Sequence, residues 1–573
     1  MTVRQAKAAP SESYSVSEGA KDVFRYLLES TKTELPMEFL KYVKRAVFLK
    51  YSRTGDTVCF PCPLREQEAV AALKALEGCA AAAIADTRGT ARGRAVSVTL
   101  EHVTSFLMSA YITNIDGLDK CNPKTKERIP DTDLNQAQSN LYRRLSAGLY
   151  ETRNQGEYYH IHGSLEASTT LNMIGLPAFL PGLTNYHDCI DTIEGAVRQF
   201  SVAELEELNR EYRQAGAPVL TNEMYKKTKH GQIMASMPLF TVQPLSVDTP
   251  PVPFEEFTNG PSQCLQGLRV IELCRVIAGP TIGRSLAAHG ASVLKITSSQ
   301  LPDVPFFQLD VNVGKHTTSL NLKDAADVEI FESLLATADV IIDGYRPGVI
   351  AGLGYRPEDL AAKAAQRGRG IVYVSEDCFG GSEKGAEWAG RPGWQQIADC
   401  VTGVAWEQGY FMGLNEPVVP PFPMSDYGTG CVGAIAALSG IYRRATEGGS
   451  WICRTSLSQY DIFLLSLGTY PAEVQDQLRR EHDAQFFEVR HNDSVDEISQ
   501  RALASIRYLH PTLFEEHILQ SAYSEAFGGV VTWPKEPLEV EGIKIGHVRP
   551  TRPNGYDKPS WEDWERDETL LGA

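Results

Sequence analysis

One aspartate stands where chemistry could take place. Asp426 lies in the segment PPFPMSDYGTGCVGAIAAL, where a Pro-rich loop runs into a helix of small and branched residues. The unpaired N–H groups of a helix start and the positive end of its dipole favour an ionised carboxyl, so we expect Asp426 to be an anion at neutral pH. Gly428 and Gly430 follow and would let a substrate approach closely. The alternative role is a plain N-cap, for which Asp is well suited.

Length and composition limit the class of protein. The chain has 573 residues, of which 43% are hydrophobic and 22% charged, as in soluble globular proteins of about three or four domains. A net charge of -17 argues against nucleic acid or an anionic membrane as a partner. We find no apolar run long enough to span a membrane and no signal-peptide core, which favours a cytoplasmic protein. Eleven cysteines in a chain of this length suggest a reducing compartment.

Two short motifs resemble metal sites but have simpler interpretations. Cys59 and Cys62 form a C-x-x-C without a second pair at zinc spacing, which favours structural cysteines. His160 and His162 alternate as residues of a strand do, and we interpret them as strand positions. The sequence therefore predicts no metal site.

Strands alternate with helices from about residue 265 onward. GLRVIELC, ASVLKI, ADVIIDGY and GIVYVS have the character of strands, and helical segments separate them. Such alternation predicts an α/β fold with a parallel, doubly wound sheet that binds its ligands at the carboxyl ends of the strands. Gly279 and Gly283 in the first turn do not complete G-x-G-x-x-G, so a nicotinamide cofactor is not favoured.

An earlier segment repeats the one that holds Asp426. FPCPLREQEAVAALKALEG (60–78) aligns with FPMSDYGTGCVGAIAALSG (422–440), with about seven of 19 positions identical. We interpret this as a partial internal duplication. In this alignment Leu64 takes the place of Asp426, so the second copy is the one expected to be chemically competent.

Several ordered blocks between about 265 and 460 resemble one enzyme family. They are VIELCRVIAGPTIGRSLAAHGASVLKI, KHTTSLNLK, ADVIIDGYRPGVIAGLG, GRPGWQQIADCVTGVA and FPMSDYGTGCVGAIAAL. Together they resemble the family III CoA-transferases (CaiB/BaiF), the group of formyl-CoA transferase and α-methylacyl-CoA racemase. The whole chain looks most like a long fungal branch of that family with an additional N-terminal half.

The resemblance implies a fold and a reaction. The fold is a Rossmann-like large domain with a smaller α+β domain, and family members form interlocked dimers. The reaction transfers coenzyme A from an acyl-CoA to a carboxylic acid through an aspartyl anhydride and an aspartyl-CoA thioester. Coenzyme A is then a substrate, and no permanently bound cofactor is expected.

The resemblance also assigns residues. It makes Asp426 the catalytic nucleophile. It implies coenzyme A contacts by Ile277, Ala278, Gly344, Tyr345, Arg346, Arg391 and Trp394. Where the family often carries basic residues, this chain has Ser298, Ser299 and Gly352, so Lys315, Arg346 and Arg391 become the substitutes for phosphate binding.

The expected organisation has five parts. Residues 1–59 form a helical segment with helices over 21–32 and 37–49, and residues 60–245 form a degenerate first copy with the smaller domain. A linker (246–263) leads to the catalytic large domain (264–470), and residues 471–573 return as a tail. One chain would then hold what other members assemble from two subunits, as a monomer or homodimer.

Two other functions stay open at this point. An acyl-CoA racemase needs two acid/base groups on opposite faces of the α-carbon. The family's racemases carry His where this chain has Trp394, and an indole cannot exchange a proton near neutral pH. The other alternative is a degenerate relative that binds coenzyme A esters without chemistry.

Overall fold

A sheet with the predicted parallel strands lies at the centre of the molecule. The computed structural model describes residues 14–49, 56–89, 92–245, 249–257 and 262–570. Within them, seven strands pair in the order β10-β9-β8-β11-β12-β13-β7, all parallel except the antiparallel pair β13–β7. Their bounds are β7 Thr241–Leu245, β8 Arg269–Leu273, β9 Ser292–Thr297, β10 His316–Ser319, β11 Val340–Asp343, β12 Val372–Asp377 and β13 Ser450–Ser456.

Both faces of this sheet are covered, which explains why its strands are apolar throughout. Val270 and Ile342 point into the larger core, whereas their neighbours Ile271 and Ile341 point into a second core on the opposite face. Successive side chains of a strand point to opposite faces, so continuous apolar runs fill both layers. The α/β prediction is confirmed.

Helices make up most of the remaining structure. In chain order they are α1 Val16–Thr31, α2 Glu66–Arg88, α3 Leu100–Leu107, α4 Ser109–Ile112, α5 Leu141–Arg144, α6 Ala167–Met173, α7 Tyr186–Val197, α8 Val202–Tyr212, α9 Asn222–Tyr225, α10 Lys229–Ala235, α11 Ala278–Ala288, α12 Gln308–Val311, α13 Ala325–Leu335, α14 Val349–Gly352, α15 Pro357–Gln366, α16 Gln395–Thr402, α17 Val404–Phe411, α18 Met424–Thr446, α19 Leu457–Ser466, α20 Ala472–Glu481 and α21 Val495–Leu509.

Three smaller sheets accompany the central one in the described part of the chain. One is antiparallel (β4 Ala147–Glu151, β5 Tyr158–His162, β6 Ala215–Pro218) and packs with α6, α7 and α8 around its own core, as expected for the smaller α+β unit. The others are β1-β2-β16 (Ala46–Leu49, Val96–Thr99, Leu538–Val540) and β14-β15-β3 (Leu519–Ser524, Gly529–Pro534, Asn114–Ile115). The tail therefore returns onto the first half through β15 and β16.

The structure shows the internal repeat with a different register. Helices α2 and α18 both have 23 residues, and the residues before them, Arg65 and Pro423, share nearly the same backbone angles (φ -83, ψ 52 and φ -83, ψ 54). Each helix leads into a strand and a further helix, β2–α3 and β13–α19. In this register Glu68, not Leu64, is the counterpart of Asp426, one helical turn further along. This register differs by four residues from the alignment of 60–78 with 422–440, which carries the sequence identities.

The structure bears on two further expectations, a helix over 37–49 and a linker. The helix predicted over 37–49 is wrong, because residues 46–49 form β1 and pair in parallel with β2. Alternating Ala46 and Phe48 pack inward there, and the strand partner decides the conformation. The linker bounds stay a prediction, since residues 246–248 and 258–261 lie outside the described residues. Among the described helices, none is both long and apolar enough to cross a lipid bilayer.

Candidate active site

Asp426 lies in the first turn of α18 but is not its cap. It is the third residue of the helix, Pro423 precedes the helix, and no side chain caps it. Phe422, just before, has φ +64, a conformation that bulky residues rarely adopt. Its N–H donates to Ser499 Oγ (3.0 Å), and its carbonyl accepts from Gln395 Nε2 (3.4 Å). A strained, tethered residue thus fixes where the helix starts, as is common at functional sites.

The surroundings of Asp426 disfavour its ionised form, whereas the sequence suggested a stabilised anion. Within the described residues, no N–H or hydroxyl group donates to its oxygens. Burial, and next the negative charge of Asp399, raise the pKa of Asp426 well above its usual range. The sequence did not reveal this environment, because the burial of the first turn and the charge of Asp399, from another helix, depend on tertiary packing. Asp399 itself, with a pKa raised by burial to about 7, accepts from Gln395 Nε2 and Ser425 Oγ, both at 3.0 Å.

The glycines behind Asp426 serve helix packing rather than substrate approach. A Cβ on Gly428 would lie 2.1 Å from the ring of Tyr460. One on Gly430 would lie 2.4 Å from Thr281 of α11. These glycines let α18 pack tightly against its neighbours and so hold Asp426 at the edge of the sheet.

The predicted site residues gather around one cleft. This main cleft has a volume of about 350 Å³ and opens at the carboxyl ends of β8, β11 and β12. Ser164 and Leu165 of the smaller unit form part of its opposite wall, so the cleft lies between the two halves of the chain. All the predicted residues line it: Ile277, Ala278, Gly344, Tyr345, Arg346, Arg391, Trp394 and Asp426.

The basic residues of the cleft differ in availability. Arg391 forms two hydrogen bonds to Glu206, at 3.1 and 2.9 Å, so its charge is neutralised. Lys315 is fully buried and donates to Glu272 (2.6 Å) and to the Pro280 carbonyl (2.7 Å), which removes it from phosphate binding. Arg346 and Arg275 line the cleft without an acidic partner in the described parts of the chain. Arg275 was missed, although it directly follows the first strand of the βαβ unit, where ligands bind.

Trp394 forms a wall that the smaller unit supports. Its Nε1 donates to Ser164 Oγ (2.7 Å), and its ring stacks on His162 with centroids 5.4 Å apart. His162 lines a smaller space of about 70 Å³ that also contains Asp426, which we call the inner chamber. Burial lowers the pKa of His162 well below its usual range, so the ring is neutral. His162 lies in a strand, β5, as predicted. That strand also places the His162 ring beside Trp394 in the site.

A second carboxyl, Glu376, also lines the main cleft. It lies near the end of β12, and its Oε2 is 3.4 Å from the Cβ position of Gly344. Burial first, then the charges of Asp377 and Asp426, raise the pKa of Glu376 well above its usual range. Asp426 therefore shares the main cleft with a second ionisable group. Glu376 directly follows the predicted strand GIVYVS, and this position was the available signal.

Glu68, the counterpart of Asp426 in the repeat, is closed off from solvent. Glu68 is fully buried, and its two oxygens accept hydrogen bonds from Tyr14 and Tyr470, each at 2.7 Å. Asp426, by contrast, is partly exposed to two cavities. The second copy is thus the one with a carboxyl that a substrate can reach.

Comparisons with known proteins identify the family of this chain. The family model "CoA-transferase family III" matches residues 265–489. The chain is 33% identical over 564 residues to the acetyl-coenzyme A transferase nodX of Hypoxylon pulicicidum, covering 96% of this chain and 93% of that protein. It is 31% identical over 434 residues to an acyl-CoA transferase of Gibberella moniliformis, covering 75% and 76% respectively. The chain therefore belongs to the family III CoA-transferases.

The chain is also similar to solved structures over part of its length. A crystal structure of Rv3272 from Mycobacterium tuberculosis is 25% identical, covers 36% of this chain and 58% of that one, and has a TM-score of 0.31. A CAIB/BAIF family protein from Brucella suis is 25% identical over 36% and 56%, with a TM-score of 0.30.

Proposed function

We propose that this protein transfers coenzyme A from an acyl-CoA to a carboxylic acid, with Asp426 as the nucleophile. The observation that carries the proposal is the position of Asp426 between two cavities that meet at its carboxyl. A covalent intermediate on one carboxylate divides a difficult exchange into easier steps.

Transfer of coenzyme A would take four nucleophilic attacks. The Asp426 carboxylate attacks the thioester carbonyl and forms a mixed anhydride, while the coenzyme A thiolate leaves. The thiolate then attacks the Asp426 carbonyl, which releases the first acid as a carboxylate and leaves an aspartyl-CoA thioester. A second carboxylate attacks that thioester, and the freed thiolate attacks the carbonyl of the new acyl group. The products are the second acyl-CoA and the original Asp426 carboxylate.

The main cleft suits coenzyme A. Val276, with φ +69, and Ile277 form a fixed turn before α11, and Ala278 leaves room for a close approach. Arg275 and Arg346 supply two positive charges for phosphates, where Arg is well suited. The raised pKa of Asp426 means that its proton must leave before attack, so the reaction should be faster at higher pH.

Racemisation is the second candidate, because His162 and Asp426 line the same inner chamber. A base needs a free lone pair on its nitrogen. Nδ1 of His162 accepts from the Ser164 N–H (2.9 Å), which places the proton of the neutral ring on Nε2. Neither nitrogen then offers a free lone pair, and this favours transfer over racemisation.

The test uses an acceptor acid labelled with a heavy oxygen isotope in both carboxyl oxygens. The steps above deliver one heavy oxygen to Asp426 in each completed turnover with that acid. Mass spectrometry of the peptide that contains Asp426 should show the added isotope after incubation with an acyl-CoA and the acid, and Asp426→Ala should abolish both label and transfer. Transfer without label would refute the aspartyl intermediate.

A further inference from the structure

The side chain of Asp426 lines two cavities. The main cleft and the inner chamber share Val276, Ile277, Trp394 and Asp426 in their walls. The carboxyl of Asp426 is thus reached from the cleft on one side and from the inner chamber on the other. Two reactants can approach it from different directions.

The inner chamber continues into a larger outer pocket. That pocket has a volume of about 470 Å³, within the usual range for small-molecule sites. Tyr111, Lys120, Arg144 and Val304 belong to the walls of both spaces. The outer pocket is therefore a second entrance to Asp426.

The neck between these spaces carries excess positive charge. Lys120 and Arg144 both pair with one carboxylate, Asp496, in the latter case at 3.1 Å. Lys120 also lies over the ring of Tyr111, with Nζ 4.4 Å from its centroid. Two cations with one anion leave a net positive charge at the neck.

The outer pocket as a whole carries no net charge, because Asp131, Asp133 and Asp496 balance Lys120, Lys126 and Arg144. The residues that it shares with the inner chamber include Lys120 and Arg144 but no carboxylate, so the excess positive charge is confined to the neck. Lys126 and Asp131, also in the wall of the outer pocket, carry opposite charges. On the inner side, His162 is neutral and Asp426 is the reacting group itself.

We propose that the inner chamber and outer pocket bind the free carboxylic acid, with Lys120 and Arg144 holding its carboxylate beside Asp426. This inference rests on the proposed function and names the substrate class: a monocarboxylic acid with an apolar body. Ile129, Val304 and Phe306 supply the apolar wall for that body. The first acid would leave and the second enter by this route while coenzyme A stays in the main cleft.

The polar residues at the neck of the acid route come from segments outside the matched family region, whereas Val304 and Phe306 of its apolar wall lie within it. Tyr111, Lys120, Arg144 and Asp496 all lie outside residues 265–489. The coenzyme A side, with Ile277, lies within that region.

The experiment separates the two half-reactions. Wild-type enzyme is first loaded with coenzyme A from an acyl-CoA donor, and its discharge is then followed with octanoate or phenylacetate, with the uncharged octanamide and phenylacetamide as comparisons. Arg144→Gln should load normally but require about ten- to a hundredfold more acid, the effect of one lost charged hydrogen bond. Asp496→Asn should shift the acid requirement in the opposite direction, because it frees both cations.

A variant at the protein surface serves as the control. Arg356→Gln, which breaks a surface pair with Asp359, should match wild type. Normal discharge of Arg144→Gln would overturn the acid site. Failure of wild type to load would instead refute the proposed function. In that case calorimetry decides the binding question: octanoate should bind wild type more tightly than octanamide does, a preference lost in Arg144→Gln, and equal binding of both probes would overturn the site.

Discussion

Asp399, from helix α16, is the charged residue that acts on Asp426 at the start of α18. After burial, its charge is the next cause of the raised pKa of Asp426. Asp399 is held by hydrogen bonds from Gln395 and Ser425, so its position is fixed. The negative charge of one carboxyl therefore opposes ionisation of the other. Asp426 should lose its proton at a higher pH than an exposed aspartate does.

Replacing Asp399 should shift the pH dependence of the reaction. The raised pKa of Asp426 predicts that kcat/KM for the acyl-CoA falls as pH decreases, because the protonated carboxyl cannot attack. Asp399→Asn removes the negative charge and should move this acid limb to lower pH. The pH profile of kcat/KM measures the shift, with the surface variant Asp359→Asn as control. An acid limb at the same pH in both variants would contradict the coupling.

Removing the nucleophile should stabilise the protein. A carboxyl with a raised folded-state pKa binds more protons in the folded than in the unfolded state, so the stability it contributes falls as pH rises. Asp426→Asn should therefore raise the free energy of unfolding by about 1 kcal/mol near pH 8, a typical gain when an active-site strain is relieved. The difference should vanish below about pH 4, where the unfolded carboxyl is also protonated. Denaturant unfolding at both pH values tests this, and a variant less stable than wild type near pH 8 would disprove it.

Arg275 and Arg346, which have no acidic partner within the described residues, should bind the phosphates of coenzyme A. Arg275→Gln and Arg346→Gln should each weaken coenzyme A binding about tenfold, the loss of one charged contact. Pantetheine, which lacks the diphosphate and nucleotide, should bind wild type and both variants alike. Calorimetry measures both ligands, and Arg210→Gln, at an exposed pair with Glu207, is the matched control. Equal losses for pantetheine would indicate a structural role instead.

Sequence reasoning found the residues that lie close to Asp426 along the chain and at the ends of neighbouring strands. The family resemblance assigned Ile277 and Tyr345, and both lie in the turns after β8 and β11, at the edge where a parallel sheet binds its ligands. The pKa of Asp426 could not be predicted in this way, because Asp399 is brought to it only by the packing of α16 against α18. Lys120 and Arg144 were missed for the same reason: they come from segments with no periodic pattern that points toward the sheet.

The charge of a basic residue in the sequence also gave no indication of whether it is free to bind a phosphate. Arg346 and Arg391 look alike in the sequence, yet one is unpaired and the other is bound by Glu206 of helix α8. Lys315 likewise precedes a strand as a surface lysine would, but its ammonium is buried against Glu272. Such pairings depend on tertiary contacts between distant segments and cannot be derived from spacing.

A bulky residue at the start of α11 should block the cleft. Ala278 is 5% exposed and lines the main cleft, so Ala278→Trp would fill the space where coenzyme A is expected. We expect the dissociation constant for coenzyme A to rise by at least about tenfold. Ala326→Trp, on the exposed face of α13, is the control, and circular dichroism checks that both variants are folded. Unchanged binding by folded Ala278→Trp would remove coenzyme A from this turn.

Exchange of the α-proton distinguishes transfer from racemisation. Trp394 has no titratable proton near neutral pH, and Nδ1 of His162 is occupied by the Ser164 N–H, so neither residue can act as a second base opposite Asp426. We expect coenzyme A exchange between acids and no deuterium at the α-carbon of a 2-methylacyl-CoA in heavy water. Mass spectrometry of the recovered thioester measures both. Rapid incorporation of deuterium by the wild type, abolished in Asp426→Ala, would overturn the transferase assignment and make Glu376, the other carboxyl in the main cleft, the first residue to examine as the missing base.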